Sequence, residues 1–80
     1  MSSLSYEEQV YLSILSDGKR RDTAKILKEL DIAITPASIS IGYGVLTKLK
    51  KKGLVKIGWF SSAAQITDSG LSSLGRHMAK

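Results

Sequence analysis

Cysteine is absent from this chain of 80 residues, and proline and histidine occur once each. Without cysteine the chain forms neither a disulfide scaffold nor a thiolate metal site, which fits a reducing compartment. No apolar run approaches the roughly 20 residues of a membrane-spanning helix, and residues 1–8 lack the basic and apolar regions of a signal peptide. These absences predict a cytoplasmic protein that has no membrane partner.

Side chains with catalytic chemistry are equally scarce. His77 is the only histidine, and no Asp, Glu or Cys lies within two helical turns of it, so we expect no metal site. A Ser-His-acid set cannot be argued around a single histidine near the chain end. The glycine pair in residues 42–44 lacks the strand and the Lys-Ser/Thr of a phosphate loop. We therefore expect no enzyme activity, no cofactor and no small-molecule ligand.

Positive charge, in contrast, is abundant. Twelve Lys and Arg residues against seven Asp and Glu give a formal net charge of +5 and a sequence pI near 9.7. Such a balance favours a polyanionic partner, and nucleic acid is the commonest. The hydrophobic fraction of 42% and the charged fraction of 24% are typical of a folded globular domain, which we expect to span residues 1–80 as one unit.

A first helix is predicted to begin at a capping box and to end at a glycine. Ser5 would cap the helix while Glu8, three positions on, reaches back to the Ser5 amide. Gly18 can adopt the left-handed conformation that closes a helix. The expected apolar residues are Tyr6, Val10 and Ile14, with Tyr11 and Leu15 beside them, and the expected solvent-facing residues are Glu7, Glu8, Gln9 and Ser13.

A second, short helix is predicted from Asp22 as its N-cap to about Leu30. Residues 19–21 are three consecutive cations just before this helix, where the positive end of the helix dipole already favours an anion. One interpretation of these cations is an ordinary solvated turn, and the other is a set of phosphate contacts.

The third helix has an ambiguous start and a clear end. Thr35, Ser38 or Ser40 could each supply the N-cap, so the firm prediction covers only Ser40–Lys52. Gly53, directly after three lysines, is a strong terminator. The side predicted to face the core carries Ile39, Gly42, Val45, Leu46 and Leu49. The opposite side carries small, hydroxylic or basic residues, namely Ala37, Ser40, Gly44, Thr47, Lys48 and Lys51.

A strand pattern follows the third helix. Residues 54–59 and 63–67 alternate as the strands of a small hairpin. Trp59 and Phe60 are adjacent in it, so one should point inward and the other outward, either to complete a thin core or to contact a partner.

The last helix is predicted to begin at Thr67 or Asp68, with Leu71, Leu74 and Met78 on its apolar side. The predicted order is helix, helix, helix, strand, strand, helix. The fold class is mainly α with a small β-hairpin (α+β).

Two runs in the second half of the chain resemble a known family. Residues 46–55 read Leu-x-x-Leu-x-x-x-Gly-Leu-Val, and residues 66–70 read Ile-Thr-Asp-Ser-Gly. Together they resemble the winged-helix DNA-binding domains of small prokaryotic transcription regulators of the PadR and MarR type, loosely over residues 6 to 78. The resemblance implies a winged helix-turn-helix whose third helix enters the DNA major groove. Tyr43 falls where PadR-like proteins often have a tyrosine.

The resemblance also assigns roles to particular residues. Ser40 and Thr47 would hydrogen-bond to base edges, and Gly44 would allow close approach. Lys48 and Lys51 would reach guanine or phosphate. Contacts that fix the register on the phosphates are expected from residues near the second helix and from the one basic residue of the wing. These phosphate contacts are Lys19, Arg20, Arg21, Lys25 and Lys56.

The predicted function is sequence-specific binding of double-stranded DNA by a transcription regulator, expected to be a repressor. A homodimer through the first and last helices is expected, with Tyr6, Tyr11, Leu74 and Met78 as contacts. Two alternatives stay open. One is a winged-helix module that binds protein and owes its charge to solubility, and the other is an architectural protein that coats DNA without sequence choice.

Overall fold

The computed structural model describes residues 4–58 and 63–78, the last three of them by their backbone only. The elements are α1 (Tyr6–Leu15), α2 (Thr23–Glu29), α3 (Pro36–Lys51), β1 (Val55–Ile57), β2 (Ala64–Ile66) and α4 (Asp68–Met78). This order confirms the predicted mainly α fold with a small hairpin. Trp59 and Phe60, and the side chain of Met78, lie outside the described residues.

Local capping explains where the first two helices begin. The Ser5 amide donates to Glu8 Oε1 at 2.8 Å, and the Glu8 amide donates to Ser5 Oγ at 3.2 Å. This is the predicted capping box. The Lys25 amide donates to Asp22 Oδ1 at 2.8 Å, so Asp22 is the N-cap of α2 as predicted.

The start of α3 lies earlier than the firm prediction. Thr35 is the N-cap, because its Oγ1 accepts from the Ser38 amide at 3.1 Å while its own amide donates to Ser38 Oγ at 2.8 Å. The helix continues through Gly42 because close packing requires a glycine there. A Cβ at Gly42 would lie 2.6 Å from Thr23 Cγ2 and 3.0 Å from the Tyr11 hydroxyl. Gly42 therefore lowers the local helix propensity of α3 but lets α3 approach α1 and α2 closely.

Helices α2 and α3 end in the same kind of turn. The Ile32 amide donates to the Leu27 carbonyl at 2.9 Å, with Asp31 between them in the left-handed conformation at φ 59°. Gly53, at φ 75°, closes α3 as predicted and turns Leu54 into the core. An aspartate fills the left-handed position after α2, where glycine is the usual residue.

The hairpin is antiparallel, and a third segment, which was not predicted from the sequence, pairs with its second strand. Its pairs are Val55 with Ile66, Lys56 with Gln65 and Ile57 with Ala64. Arg21, between α1 and α2, forms a bridge to Ala64, donating its amide to the Ala64 carbonyl at 3.0 Å and accepting the Ala64 amide at 2.8 Å. The segment before α2 is therefore fixed to the hairpin.

The core lies where the first three helices meet. Its fully enclosed large side chains are Leu12, Leu15, Ile26, Leu46 and Leu49, and residues of both strands and Leu74 of α4 extend it. The predicted buried face of α3 is confirmed at Gly42, Leu46 and Leu49.

Two side chains of α1 lie opposite to their predicted positions. Tyr6 is 78% exposed and Glu8 only 4% exposed, because the inward row is Glu8, Leu12 and Leu15 rather than the row that begins at Tyr6. The prediction for Leu71 of α4 is also wrong, since its side chain is exposed.

The buried Glu8 carboxylate joins the start of α1 to the end of α3. Lys52 Nζ donates to Glu8 Oε1 at 2.9 Å, alongside the Ser5 amide, whereas Oε2 is buried with no hydrogen-bond partner among the described residues. Desolvation by burial raises the pKa of Glu8, but the Ser5 and Lys52 hydrogen bonds outweigh it. The net pKa lies below its ordinary value.

Candidate nucleic-acid interface

The outer face of α3 is a row of small and basic residues that is open to solvent. Ser40, Gly44, Lys48 and Lys51 are all exposed, and their spacing places them along one side of the helix. At 1.5 Å per residue the row is about 16 Å long. Neither lysine forms an ion pair within the described part of the chain. This row, the α3 outer row, confirms the predicted exposed face.

Thr47 and Ser40 differ in what their hydroxyl groups can still do. Thr47 is half-buried, and its Oγ1 donates to the Tyr43 carbonyl at 2.9 Å. Its proton is therefore used inside the helix, and only its lone pairs can accept from a base amino group. The Ser40 hydroxyl makes no hydrogen bond with any described residue, so it can both donate and accept. The helical wheel placed the two side by side but did not distinguish them.

Gly44 sits in open space on the outer row. A Cβ built on it meets no atom within 4 Å, so packing does not require a glycine there. A glycine in an exposed helix interior costs about 1 kcal/mol of stability relative to alanine. Gly44 therefore does not stabilise the fold. Its lack of a side chain leaves the backbone of α3 accessible to a binding partner. Tyr43 lies on the flank of this row and is also exposed.

Two cations far apart in sequence both lie beside Gln65 of the hairpin. Lys56 of β1 pairs with Gln65 of β2, and directly paired residues project from the same side of a sheet. Arg20 Nε donates to Gln65 Oε1 at 3.4 Å, while Gln65 Nε2 donates to the Gly18 carbonyl at 2.8 Å. Arg20 and Lys56, with exposed Lys19 beside Arg20, are called the hairpin cluster below. Residue spacing alone could not reveal it, because the Arg21 bridge to β2 creates it.

Arg21 has carboxylate partners within the protein. Its NH1 and NH2 donate to the two Asp17 carboxylate oxygens at 2.8 Å each, and its Nε donates to Glu29. The Arg21 hydrogen bonds hold the pKa of Asp17 well below its ordinary value. The Arg21 side chain is only 14% exposed. A phosphate contact would require breaking these bonds, so we leave Arg21 out of the interface and keep Lys25, which is exposed on α2.

The residues expected to form a dimer are not equally available. Tyr11 and Leu74 are buried in the core of their own chain and present little surface to a second copy, whereas Tyr6 is exposed. The structure shows instead an apolar groove between α1 and α3 with a volume of about 370 Å³. Its lining includes Tyr6, Val10, Leu30, Ile32, Ile41 and Val45. This α1–α3 groove was not predicted from the sequence.

Within residues 4–58 and 63–78, no three His, Cys, Asp or Glu side chains are grouped so that they could hold a metal ion. In the same part of the chain, no helix combines the length and the apolar character needed to cross a membrane. No protein-family model matches the chain, and a search of the curated proteins finds no match to it. The functional assignment therefore rests on the chain's own geometry and charge.

Proposed function

We propose that the protein binds double-stranded DNA by placing α3 in the major groove. The observation that carries the proposal is the α3 outer row, where Ser40, Gly44, Lys48 and Lys51 lie along one exposed side of the helix. The Ser40 hydroxyl and the two lysines have no hydrogen-bond or ion-pair partner among the described residues. The major groove is about 12 Å wide and admits a helix. A row of about 16 Å would pass across several base pairs.

The residues of the row have distinct roles in this proposal. Ser40 exchanges hydrogen bonds with base edges, and Gly44 allows the helix backbone to come close to the DNA. Lys48 and Lys51 reach guanine acceptors or phosphates. Thr47 accepts a hydrogen bond from a base amino group without leaving its bond to Tyr43.

The hairpin cluster holds the phosphates beside α3. The hairpin follows directly from the end of α3 through Gly53 and Leu54, so a duplex seated on α3 is close to the start of the wing. Arg20, Lys56 and Lys19 then contact the backbone without reading sequence. In this role the protein is a transcription regulator of the winged helix-turn-helix kind and a repressor. It acts in the cytoplasm, is not an enzyme and needs no cofactor.

The test begins with a selection from a random pool of duplexes, which supplies a preferred site. Fluorescence anisotropy then measures the affinity of the protein for that site and for random duplex. We expect the preferred site to bind at least tenfold more tightly at physiological salt. Equal affinity for both would replace sequence-specific binding by architectural coating, and no binding to either would favour the protein-interaction alternative.

A charge-matched pair of variants locates the binding surface. We expect the double variant Lys48→Gln, Lys51→Gln to bind the preferred site at least tenfold more weakly, because it loses two cations of the outer row. The control is Lys28→Gln together with Lys50→Gln, which removes the same charge from two other exposed lysines. The control should lose much less affinity. Equal losses in the two double variants would show that net charge, not α3, determines binding.

A further inference from the structure

Gln65 connects the hairpin to the turn between α1 and α2 through both ends of its side-chain amide. Its Nε2 donates to the Gly18 carbonyl at 2.8 Å, and its Oε1 accepts from Arg20 Nε at 3.4 Å. Because each end of the amide has a partner of the matching kind, these contacts define which end is oxygen and which is nitrogen. One neutral side chain therefore fixes a backbone carbonyl and a guanidinium group together.

The segment that carries Arg20 is attached to β2 at two points. Gly18 is held by the Gln65 side chain, and Arg21 is held by its two backbone hydrogen bonds to β2. Lys19 and Arg20 lie between these two points, and both are exposed. In an antiparallel pair the residues next to a bridge also face each other, which places Arg20 opposite Gln65.

The hydrogen bond to Gln65 leaves the outer edge of the Arg20 guanidinium available. A guanidinium has N–H donors on all three of its nitrogens, and within the described part of the chain Arg20 uses only the donor on Nε. Its two terminal nitrogens can therefore form the parallel hydrogen bonds with which arginine binds a phosphate. A side chain already held at Nε also loses less rotamer freedom when it binds.

The neutral charge of Gln65 matters as much as its hydrogen bonds. Lys56 pairs with Gln65 across the hairpin, and Arg20 donates to it from the other edge of β2. A carboxylate of the same shape would form ion pairs with both cations and cancel charge that a phosphate would otherwise meet. Arg21 shows this contrast, because its guanidinium is occupied by carboxylates.

We propose that Gln65 is a positioning residue of the DNA interface, which holds the Arg20 guanidinium ready for a phosphate without neutralising it. This inference rests on the proposed function and adds to it an uncharged residue outside α3. Gln65 acts through Arg20, so its removal costs the phosphate contact of Arg20 and leaves the contacts of the α3 outer row intact.

The salt dependence of binding distinguishes positioning from a general structural role. Anisotropy titrations on the preferred duplex compare wild type, Arg20→Gln, Gln65→Leu and the double variant. We expect Arg20→Gln to weaken binding about threefold and to make the salt slope shallower by about 0.9, the contribution of one phosphate contact. Gln65→Leu should reproduce most of both effects in the wild type and have no further effect in Arg20→Gln. A smaller folded fraction would instead lower affinity equally at every salt concentration.

Two further variants separate the hydrogen bonds of Gln65 from its charge. Gln9→Leu makes the same change at the other glutamine of the chain, which lies in α1, and should leave affinity and slope as in wild type. Gln65→Glu keeps an acceptor for Arg20 but adds a negative charge, so it should weaken binding more than Gln65→Leu does. Circular dichroism establishes that every variant is folded.

Several results would overturn the inference while the proposed function stands. One is a Gln65→Leu protein that keeps the wild-type salt slope, and another is a loss from Gln65→Leu that is equally large in Arg20→Gln. Unchanged binding in Arg20→Gln or in Gln65→Glu would contradict it as well. A wild type that binds no duplex would overturn the proposed function, and the role of Gln65 with it.

Discussion

Ser40 and Thr47 show how far a single residue can be interpreted from its place on a helical wheel. Both were predicted on the outer side of α3, and that side is indeed exposed at Ser40. The hydrogen bond from Thr47 to the Tyr43 carbonyl could not be predicted, because a helical threonine can adopt a rotamer with or without it. The Ser40 hydroxyl, which has no partner among the described residues, is consequently the better candidate for hydrogen bonds to bases.

Gly44 allows fold stability and DNA binding to be separated at one residue. We expect Gly44→Ala to raise the free energy of unfolding by about 0.5 to 1 kcal/mol, because a methyl group meets nothing there and alanine favours the helix. The same methyl group should hold α3 away from the DNA and weaken binding to the preferred site at least fivefold. Urea denaturation and anisotropy measure the two effects.

Gly75 supplies the matched control for this experiment. It also lies in a helix, α4, and a Cβ on it meets no atom within 4 Å. Gly75→Ala should leave DNA affinity unchanged. A Gly44→Ala protein that binds the preferred site as tightly as the wild type would show that DNA does not approach this part of α3.

The six elements were predictable because the decisive signals for each are local. Ser5 with Glu8, Asp22 and Gly53 each define a helix end from neighbouring residues alone. The start of α3 was ambiguous because several hydroxyl residues could cap it, and the structure shows the capping box at Thr35 and Ser38 and the close packing that requires a glycine at position 42. Contacts between distant segments, such as the Arg21 bridge to Ala64, leave no pattern in the local sequence.

The ion pair between Glu8 and Lys52 is another such contact, and it makes the stability of the α1–α3 junction depend on pH. The pKa of Glu8 is lower in the folded protein than in the unfolded chain. Its contribution is therefore present above the unfolded pKa of about 4.3 and is lost as pH falls through the folded pKa. We expect Glu8→Gln to lower the free energy of unfolding by about 1 to 2 kcal/mol at pH 7.

Urea denaturation at a series of pH values checks this prediction. The difference between wild type and Glu8→Gln should shrink as pH falls below about 4, because the wild-type carboxyl group then becomes neutral too. The Asp17 pair with Arg21 also titrates in acid, but it is present in both proteins and cancels in the comparison. A difference that stays constant from pH 7 to pH 3 would contradict the assigned role of the Glu8 charge.

At the scale of the whole molecule, the candidate interface combines a predicted part with an unpredicted part. The α3 outer row follows from helical periodicity, so the sequence was sufficient to propose it. The placement of Arg20 and Lys56 beside Gln65 depends on how the segment before α2 pairs with the hairpin, and the α1–α3 groove depends on the rotation of α1 about its axis. Neither the pairing nor the rotation can be derived from residue spacing.

The salt dependence of DNA binding is the clearest test that the α3 outer row and the hairpin cluster contact DNA. Six exposed cations are assigned to phosphate or base contacts, namely Lys19, Arg20, Lys25, Lys48, Lys51 and Lys56. If all of them displace counterions, log K for wild-type protein and the preferred duplex should fall against log salt with a slope of about −5 per bound subunit. Anisotropy titrations at a series of salt concentrations give that slope. A slope of about −5 is the result we predict, and affinity that does not change with salt would contradict binding of DNA by this surface.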